Sequence, residues 1–181
     1  MALSTIDLSQ QSGTSLPSSI VTASGLPLGI TEVDQWRLTT SFDLDGTTDP
    51  LSSNLERVDG TGQGKLGTGM SVSSGIWTFP STGFWKVEST FVAYGRGAVA
   101  QVRMLIYVTT NNSSYSQVSS NHQAMVNNDY YGNGHCSTIV DVTDTTNVKV
   151  KFVAGASANS NFQGSSSANF CHFTFTRLGD T

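Results

Sequence analysis

The chain has 181 residues, enough for one domain with a short arm, and a formal net charge of −4. Charged residues make up only 12%, whereas Ser, Thr, Asn and Gly together account for 77 of the 181 residues. This composition disfavours a helical bundle, and without a basic stripe the chain is not expected to bind nucleic acid by neutralising phosphates. No apolar run approaches the roughly 18 residues of a membrane-spanning helix, so no membrane insertion is expected.

Residues 1–30 differ in character from the rest of the chain. The Ser- and Gln-rich stretch 9–19 has no periodic apolar face, and Pro17 and Pro27 would break a helix. A segment of this composition is extended or disordered unless it lies on another molecule. We therefore predict an extended N-terminal arm that packs against a partner or a neighbouring subunit, followed by a single domain over residues 31–181.

From residue 31 onward the pattern is one of short strands separated by turns. Trp36 and Leu38 alternate with more polar neighbours, which indicates a strand with one buried face. Residues 43–50 are predicted to form a long loop. A short strand is expected over residues 55–58 and glycine-rich turns over 60–69. Further strands are predicted over residues 99–110, 130–142, 147–156 and 168–178, with turns at 111–114 and 143–146.

The clearest segment is residues 75–94, which predicts a strand, a tight turn and a second strand. Pro80 and Gly83 bracket the turn, where proline fixes φ and glycine permits a positive φ. The whole chain shows about eight to ten such strands, with no convincing helix and no internal repeat. The sequence therefore predicts an all-β protein, an antiparallel jelly-roll β-sandwich.

Two segments resemble the C1q/TNF-like family of trimeric jelly rolls. Residues 79–85, FPSTGFW, are similar to the family's F-x-x-P-x-x-G-x-Y hairpin, with Trp85 near the position of the usual tyrosine. Residues 173–180, FTFTRLGD, are similar to its aromatic-rich closing strand. Residues 49–57 and 108–115 resemble, more specifically, small structural proteins of marine tailed bacteriophages. The resemblance extends over about residues 31–181.

This resemblance implies a homotrimer in which the apolar inner sheets of three subunits pack around a threefold axis. The residues it assigns to the trimer and to the core of the hairpin are Trp77, Phe79, Pro80, Gly83, Phe84, Trp85, Phe173 and Phe175.

It also implies a structural virion protein, made in the host cytoplasm without a signal peptide. The leading interpretation is a trimeric capsid decoration (cement) protein that stabilises the phage head. Its arm, residues 1–30, would bind the major capsid protein or another virion protein. The alternative is a tail-fibre or head-fibre knob that binds a glycan or protein of the host surface.

Tyr130 and Tyr131 are the candidates for such surface recognition. They stand between residues 127–129, NND, and residues 132–134, GNG. Tyrosine among Asn and Gly is a composition typical of exposed contact surfaces. The other interpretation is that the two rings simply anchor their loop.

A calcium site is the one metal site that the sequence suggests. Asp43, Asp45 and Asp49 place three carboxylates within seven residues, and oxygen ligands at such spacing can wrap Ca²⁺. The segment lacks the final glutamate of an EF-hand loop, and an exposed turn rich in Asp and Gly is the plainer interpretation. No other cofactor is expected.

Catalytic signals are weak throughout the sequence. Cys136 and Cys171 are expected to be buried or half-buried free thiols, with a structural disulfide as the alternative. His122, His135 and His172 lack the short ligand spacing of a structural zinc site. There is no G-x-S-x-G nucleophile motif, and no pair of glutamates stands out as a glycosidase pair. The sequence therefore predicts a protein that is not an enzyme.

Overall fold

The computed structural model describes residues 29–181, in which the chain forms eleven β-strands. No segment of this part is a helix of a length and apolarity that could cross a membrane. Most of the predicted arm, residues 1–28, lies outside the described residues. The strands are β1 (Val33–Leu38), β2 (Thr40–Thr48), β3 (Leu55–Arg57), β4 (Ser71–Ser73), β5 (Ile76–Thr78), β6 (Gly83–Gly95), β7 (Val99–Thr109), β8 (Ser116–Met125), β9 (Tyr131–Val142), β10 (Lys149–Ser165) and β11 (His172–Gly179).

The strands form two layers, and all pairings are antiparallel. The front layer has the strand order β3-β1-β11-β6-β9. In the back layer, one edge of β10 pairs with β7, which pairs with β8. The other edge of β10 pairs first with β5, the partner of β4, and then with β2. Over residues 160–162, β10 also pairs with β6, so the two layers join along one side as a curled sheet.

Alternation of side chains along β6 separates the core from the surface. Trp85, Val87, Ser89, Phe91 and Ala93 are buried between the layers, and the residues that alternate with them point away from the core. This alternation follows from the period of two in a β-strand, and a strand with one covered face shows it most clearly. The burial pattern confirms the predicted all-β antiparallel sandwich.

Aromatic rings fill the centre of the core. The ring of Trp77 lies 5.1 Å from Trp36 and 5.0 Å from Phe175, both in the front layer. It also lies 5.9 Å from Phe152 and from Phe173, so one side chain connects both layers. The Trp36 and Phe152 rings meet it nearly edge-on, an arrangement that aromatic pairs favour.

Two carboxylates at the start of β1 hold the glycine-rich segment 60–69 against the front layer. Glu32 accepts hydrogen bonds from the backbone N–H groups of Thr68 and Gly69, each at 3.0 Å. Buried Asp34 accepts one from the N–H of Met70 at 2.7 Å. Gly67 has a φ of +75°, and a Cβ there would overlap the Glu32 carboxylate. Glycine is therefore required at this close approach.

The predicted hairpin over residues 75–94 is not a hairpin. β5 pairs with β4 and β10 in the back layer, whereas β6 pairs with β11 and β9 in the front layer. Residues 79–82 therefore cross from one layer to the other. The segment still turns as the sequence predicts, because Gly83 has a φ of +132°.

Two further expectations about strands differ from the structure. Most of the loop predicted over residues 43–50 belongs to β2, which pairs with the second half of β10. β8 was not predicted at all, and it is an edge strand that pairs only with β7. Its sequence, SQVSSNHQAM, is polar on both faces because only one of its ends reaches the core.

Candidate interaction surfaces

The outward side of the front layer is a broad surface that nothing in the described chain covers. We call it the front face. Strand pairing places its central residues in rows across β1, β11, β6 and β9. It is formed by Gln35, Phe84, Lys86, Glu88, Thr90, Val92, His135, Ser137, Ile139, His172 and Thr174.

Charged and titratable groups lie in the middle of the front face. The Glu88 carboxylate is 2.8 Å from Nζ of Lys86 and 3.6 Å from Nε2 of His135. Oγ1 of Thr90 is 3.2 Å from Nδ1 of His135. Burial lowers the pKa of His172 beside them, and nearby His135 acts in the same direction. At neutral pH this centre is therefore close to electrically balanced.

Apolar side chains lie on the same face around this centre. Ile139 is 62% exposed and Phe84 is 40% exposed. Exposed apolar side chains grouped on one surface mark interaction sites more often than scattered ones do. The front face thus presents apolar side chains next to its charged centre.

The residues that the resemblance assigns to the trimer and to the core fall into two groups in the structure, those buried within the single chain and one exposed on the front face. Trp77, Phe79, Trp85, Phe173 and Phe175 lie inside the core of the single chain. Gly83 is buried, and Pro80 is half-buried in the crossing between the layers. Phe84 alone of this set is exposed on the front face. A contact between subunits would therefore involve Phe84 and its neighbours on that face, while the buried aromatic residues support the layer from behind.

Tyr130 and Tyr131 lie at one end of the sandwich. Asp129 donates its N–H to the carbonyl of Gly95 at 2.8 Å, and Gly95 donates to the carbonyl of Tyr130 at 3.1 Å. Both tyrosines are exposed, and the Tyr131 ring packs 5.6 Å from that of Tyr94. Tyr131 thus contacts Tyr94 and still exposes 70% of its surface, and surface recognition by the pair stays a prediction.

The N-terminal end of the described chain lies at the opposite end of the sandwich. Residues 29–31 line one pocket together with residues 177–180. Gly179 pairs with Phe84 at the start of β6, whereas Tyr131 pairs with Tyr94 near its end. β6 has 13 residues, so about 40 Å separates its two ends. Gly29, where the described chain begins, therefore lies at the end remote from Tyr130 and Tyr131.

The three aspartates of the suggested calcium site do not come together. They lie along extended β2 and just after it, so Asp43 and Asp49 are about 20 Å apart. Asp43 accepts hydrogen bonds from Asn161 and Arg96, which lower the pKa of its carboxyl. Asp49 is paired with Lys151 at 2.5 Å. Because strand geometry separates them, these carboxylates cannot hold one ion together.

The cysteines and histidines are also dispersed. Cys136 and Cys171 are free and buried, as the sequence predicts, and burial raises the pKa of their thiols to about 11 and about 12. His122 lies on β8 of the back layer, away from the other two histidines. Within residues 29–181, no group of three or more His, Cys, Asp or Glu side chains is placed to hold a metal ion.

Comparisons with known proteins place the fold but not the function. No protein-family model matches the chain. No curated protein matches it either. Among solved structures, Eiger TNF from S. frugiperda aligns with a TM-score of 0.64 at 9% identity, covering 85% of this chain and 96% of that chain. Murine APRIL aligns with TM-scores of 0.60 at pH 5.0 (11% identity) and 0.58 at pH 8.5 (10% identity), each covering 81% of this chain and 98% of that chain.

These neighbours confirm the predicted fold, a jelly roll of the TNF-like type. The alignments cover nearly the full length of the solved chains and most of this one. At such low identity the likeness concerns the path of the backbone. The roles of individual residues must therefore be argued from the chemistry of this chain alone.

Proposed function

We propose that this protein is a homotrimeric structural component of a bacteriophage virion, most specifically a decoration protein that stabilises the capsid. In this proposal the subunits contact one another through the front face. Residues 1–30 bind the major capsid protein or another virion protein. The role is non-enzymatic and requires no cofactor.

The exposed front face of a TNF-like sandwich is the observation that carries the proposal. Ile139 and Phe84 expose large apolar side chains on a flat layer whose other side is fully packed. Burying apolar surface stabilises association by roughly 25 cal/mol per Å² before the costs of ordering are subtracted. Self-association through this face would remove the Ile139 and Phe84 side chains from water.

The placement of the chain ends supports an anchoring role for the arm. The described chain begins at Gly29, at the end of the domain where residues 177–180 also lie. The opposite end of the domain would then face the surroundings.

The test of self-association is the native mass of the purified full-length chain. We expect a mass near three times 19.2 kDa by light scattering. Ile139→Glu should convert the trimer to monomer, because it places a carboxylate in the apolar part of the front face. Val118→Glu is the matched control, since Val118 is 46% exposed on β8 in the back layer. A monomeric wild type, or equal dissociation by both variants, would contradict the proposal.

The test of anchoring is incorporation into capsids of the virus that encodes the protein. Deleting residues 1–30 should leave the trimer intact and abolish binding to capsids that lack the protein. Full-length protein should bind the same capsids and raise the temperature at which they rupture. If the truncated trimer binds as well as the full-length protein, the arm is not the anchor.

A fibre knob that binds the host surface is the second candidate. It is supported by Tyr130 and Tyr131, which are exposed at the end remote from the arm. Aromatic residues are frequent among the side chains that dominate binding energy. This candidate requires that the purified trimer binds host cells and that Tyr130→Ala and Tyr131→Ala weaken the binding. Failure to bind any host cell would remove it.

A further inference from the structure

A separate pocket of about 380 Å³ opens on the outward side of the back layer. Strand pairing builds it from two rows of residues. Thr47, Gly155, Arg103 and His122 form one row across β2, β10, β7 and β8. Val153 of β10 and Leu105 of β7 are paired in the neighbouring row. The volume falls within the range of small-molecule sites in proteins.

Gly155 makes room for the Arg103 side chain at the edge of the pocket. It lies in the middle of the first row, where any other residue would project a side chain between Thr47 and Arg103. The Arg103 side chain lies across this gap, so a Cβ at Gly155 would be 2.5 Å from its Nε and 3.2 Å from its Cζ. The φ of Gly155 is not in the left-handed region. Glycine is therefore needed here for the room that it leaves, and not for its backbone conformation.

Arg103 is the cation of this pocket. The chain has five arginines, and the other four each pair with a carboxylate within 4.0 Å. Arg103 makes no such pair with any of residues 29–181, and its buried Nε has no hydrogen-bond partner among them. Its one hydrogen bond, from Nη2 to Oγ1 of Thr47, is long at 3.3 Å. A buried donor without a partner is costly, which points to a ligand acceptor at this position.

The floor of the pocket is apolar although it faces outward. Leu105 and Val153 are 6% and 2% exposed, and neither belongs to the core between the layers. The phenol ring of Tyr107 stands beside them, and its hydroxyl reaches Gln117 at 3.4 Å. An apolar floor next to an aromatic ring provides a surface for the C–H groups of a ring-shaped ligand.

Hydrogen-bonding side chains surround this floor. The Gln117 amide, the Asp49 carboxylate and the Thr47 hydroxyl all line the pocket. Asp49 is already paired with Lys151, so the charge of Arg103 is not neutralised by it. The Arg103 guanidinium therefore gives this site a positive charge, in a chain whose formal net charge is −4.

We propose that this pocket binds a saccharide that carries a carboxylate, such as a hexuronic acid residue of a polysaccharide. The planar guanidinium of Arg103 would donate two parallel hydrogen bonds to the carboxylate, as a bidentate pair. The C–H face of the sugar would lie on Leu105 and Val153, and its hydroxyls would bond to Asp49, Gln117 and Thr47. The inference is independent of the proposed assembly role, because the pocket lies on the layer opposite the front face.

The experiment measures binding of a galacturonate trisaccharide to the full-length protein, by titration calorimetry and by saturation transfer to the ligand. We expect binding that weakens with added salt, since the contact is between opposite charges. A neutral galactose trisaccharide should bind about tenfold more weakly or not at all. Equal binding of both sugars, or no binding of galacturonate at millimolar concentration, would overturn the proposal.

Variants locate the binding in the pocket. Arg103→Gln removes the cation, and Gly155→Ala keeps the cation but fills the gap on which it lies. Each should weaken galacturonate binding by about tenfold or more. Arg96→Gln is the control, because Arg96 pairs with Asp43 near the end of the sandwich. If Arg103→Gln does not fold, Arg103→Lys replaces it, which keeps the charge and loses the planar fork. Equal loss in the Arg96 control would place the site elsewhere.

Two further ligands test the chemistry of the anion. Sulfated galactose and inorganic phosphate present an oxyanion without a sugar carboxylate. Binding of phosphate as tight as that of galacturonate would overturn the assignment to a saccharide. Weaker binding of both would support it, because only the sugar acid combines a carboxylate with an apolar ring face.

Discussion

Asp34 is completely buried, and its carboxylate accepts hydrogen bonds from Nε and Nη2 of Arg57 at 2.9 and 3.1 Å. The same carboxylate accepts the indole N–H of Trp36 and the backbone N–H of Met70. One side chain thus connects β1, β3 and the end of the glycine-rich segment 60–69. A fully paired buried charge holds a unique arrangement, and removal of the carboxylate leaves several donors unpaired.

We therefore predict that Asp34→Ala destabilises the protein strongly. The substitution leaves the Arg57 guanidinium and two N–H groups without their acceptor, a loss of about 3 kcal/mol for a broken buried pair. The measurement is the free energy of unfolding in urea. Asp180→Asn serves as the control, because Asp180 also pairs with an arginine but is 88% exposed. A similar small effect of both variants would show that the Asp34 network contributes little.

Strands in which apolar and polar residues alternate could be predicted from the sequence, because this alternation indicates that one face of the strand is buried. β6 and β11 have this pattern, and both lie in segments that the sequence predicts as strands. β8 could not be predicted in this way, because polar residues occupy both faces of this edge strand and leave no alternating pattern. The residues 75–94 showed two strands and a turn correctly, but adjacency in the chain could not tell that the strands belong to different layers. Pairing partners are set by distant residues, which no local pattern contains.

The candidate pocket could not be predicted from the sequence for the same reason. Thr47, Arg103 and Gly155 are each separated by more than fifty residues and meet only through the register of three strands. Arg103 in the sequence is one more basic residue within an apolar strand. Its lack of a carboxylate partner becomes visible only when all ion pairs are placed. The exposure of Tyr130 and Tyr131, by contrast, is indicated by their Asn- and Gly-rich neighbours, although Tyr131 begins strand β9 and does not lie in a loop.

Stability should decline under mildly acidic conditions because of His172. Burial lowers its pKa in the folded state, so the unfolded chain binds the proton more readily. The stabilisation is fully present above the unfolded pKa of about 6.5 and is lost as the pH falls through the lower folded value. We expect the melting temperature to fall between pH 7.5 and pH 5, and His172→Gln to reduce this fall. His122→Gln is the comparison, since His122 is exposed on β8 in the back layer, away from His172. An unchanged slope in the His172 variant would contradict the assignment.

The two cysteines should be unreactive in the folded protein. Burial raises the pKa of Cys136 to about 11 and that of Cys171 to about 12, so both remain protonated thiols at pH 8. The thiolate is the reactive form, and access is blocked as well. A thiol-specific reagent should modify neither cysteine in buffer and both in denaturant, as counted by mass spectrometry. Rapid modification of either in the native state would show that the structure around that cysteine opens locally.

Gly83 should be irreplaceable where the chain enters β6. Its φ of +132° disfavours any L side chain, and a Cβ there would overlap the carbonyl of Gly179. Gly97 provides a matched control, because its φ is +144° and nothing lies within 4 Å of the position of its Cβ. Gly97→Ala should therefore cost only the backbone strain, about 1 kcal/mol, and Gly83→Ala about 3 kcal/mol, since overlap adds to strain. Urea unfolding of the two variants gives the difference. If the two losses are equal, the close approach of β6 and β11 at Gly179 relaxes without cost, and backbone conformation alone requires the glycine.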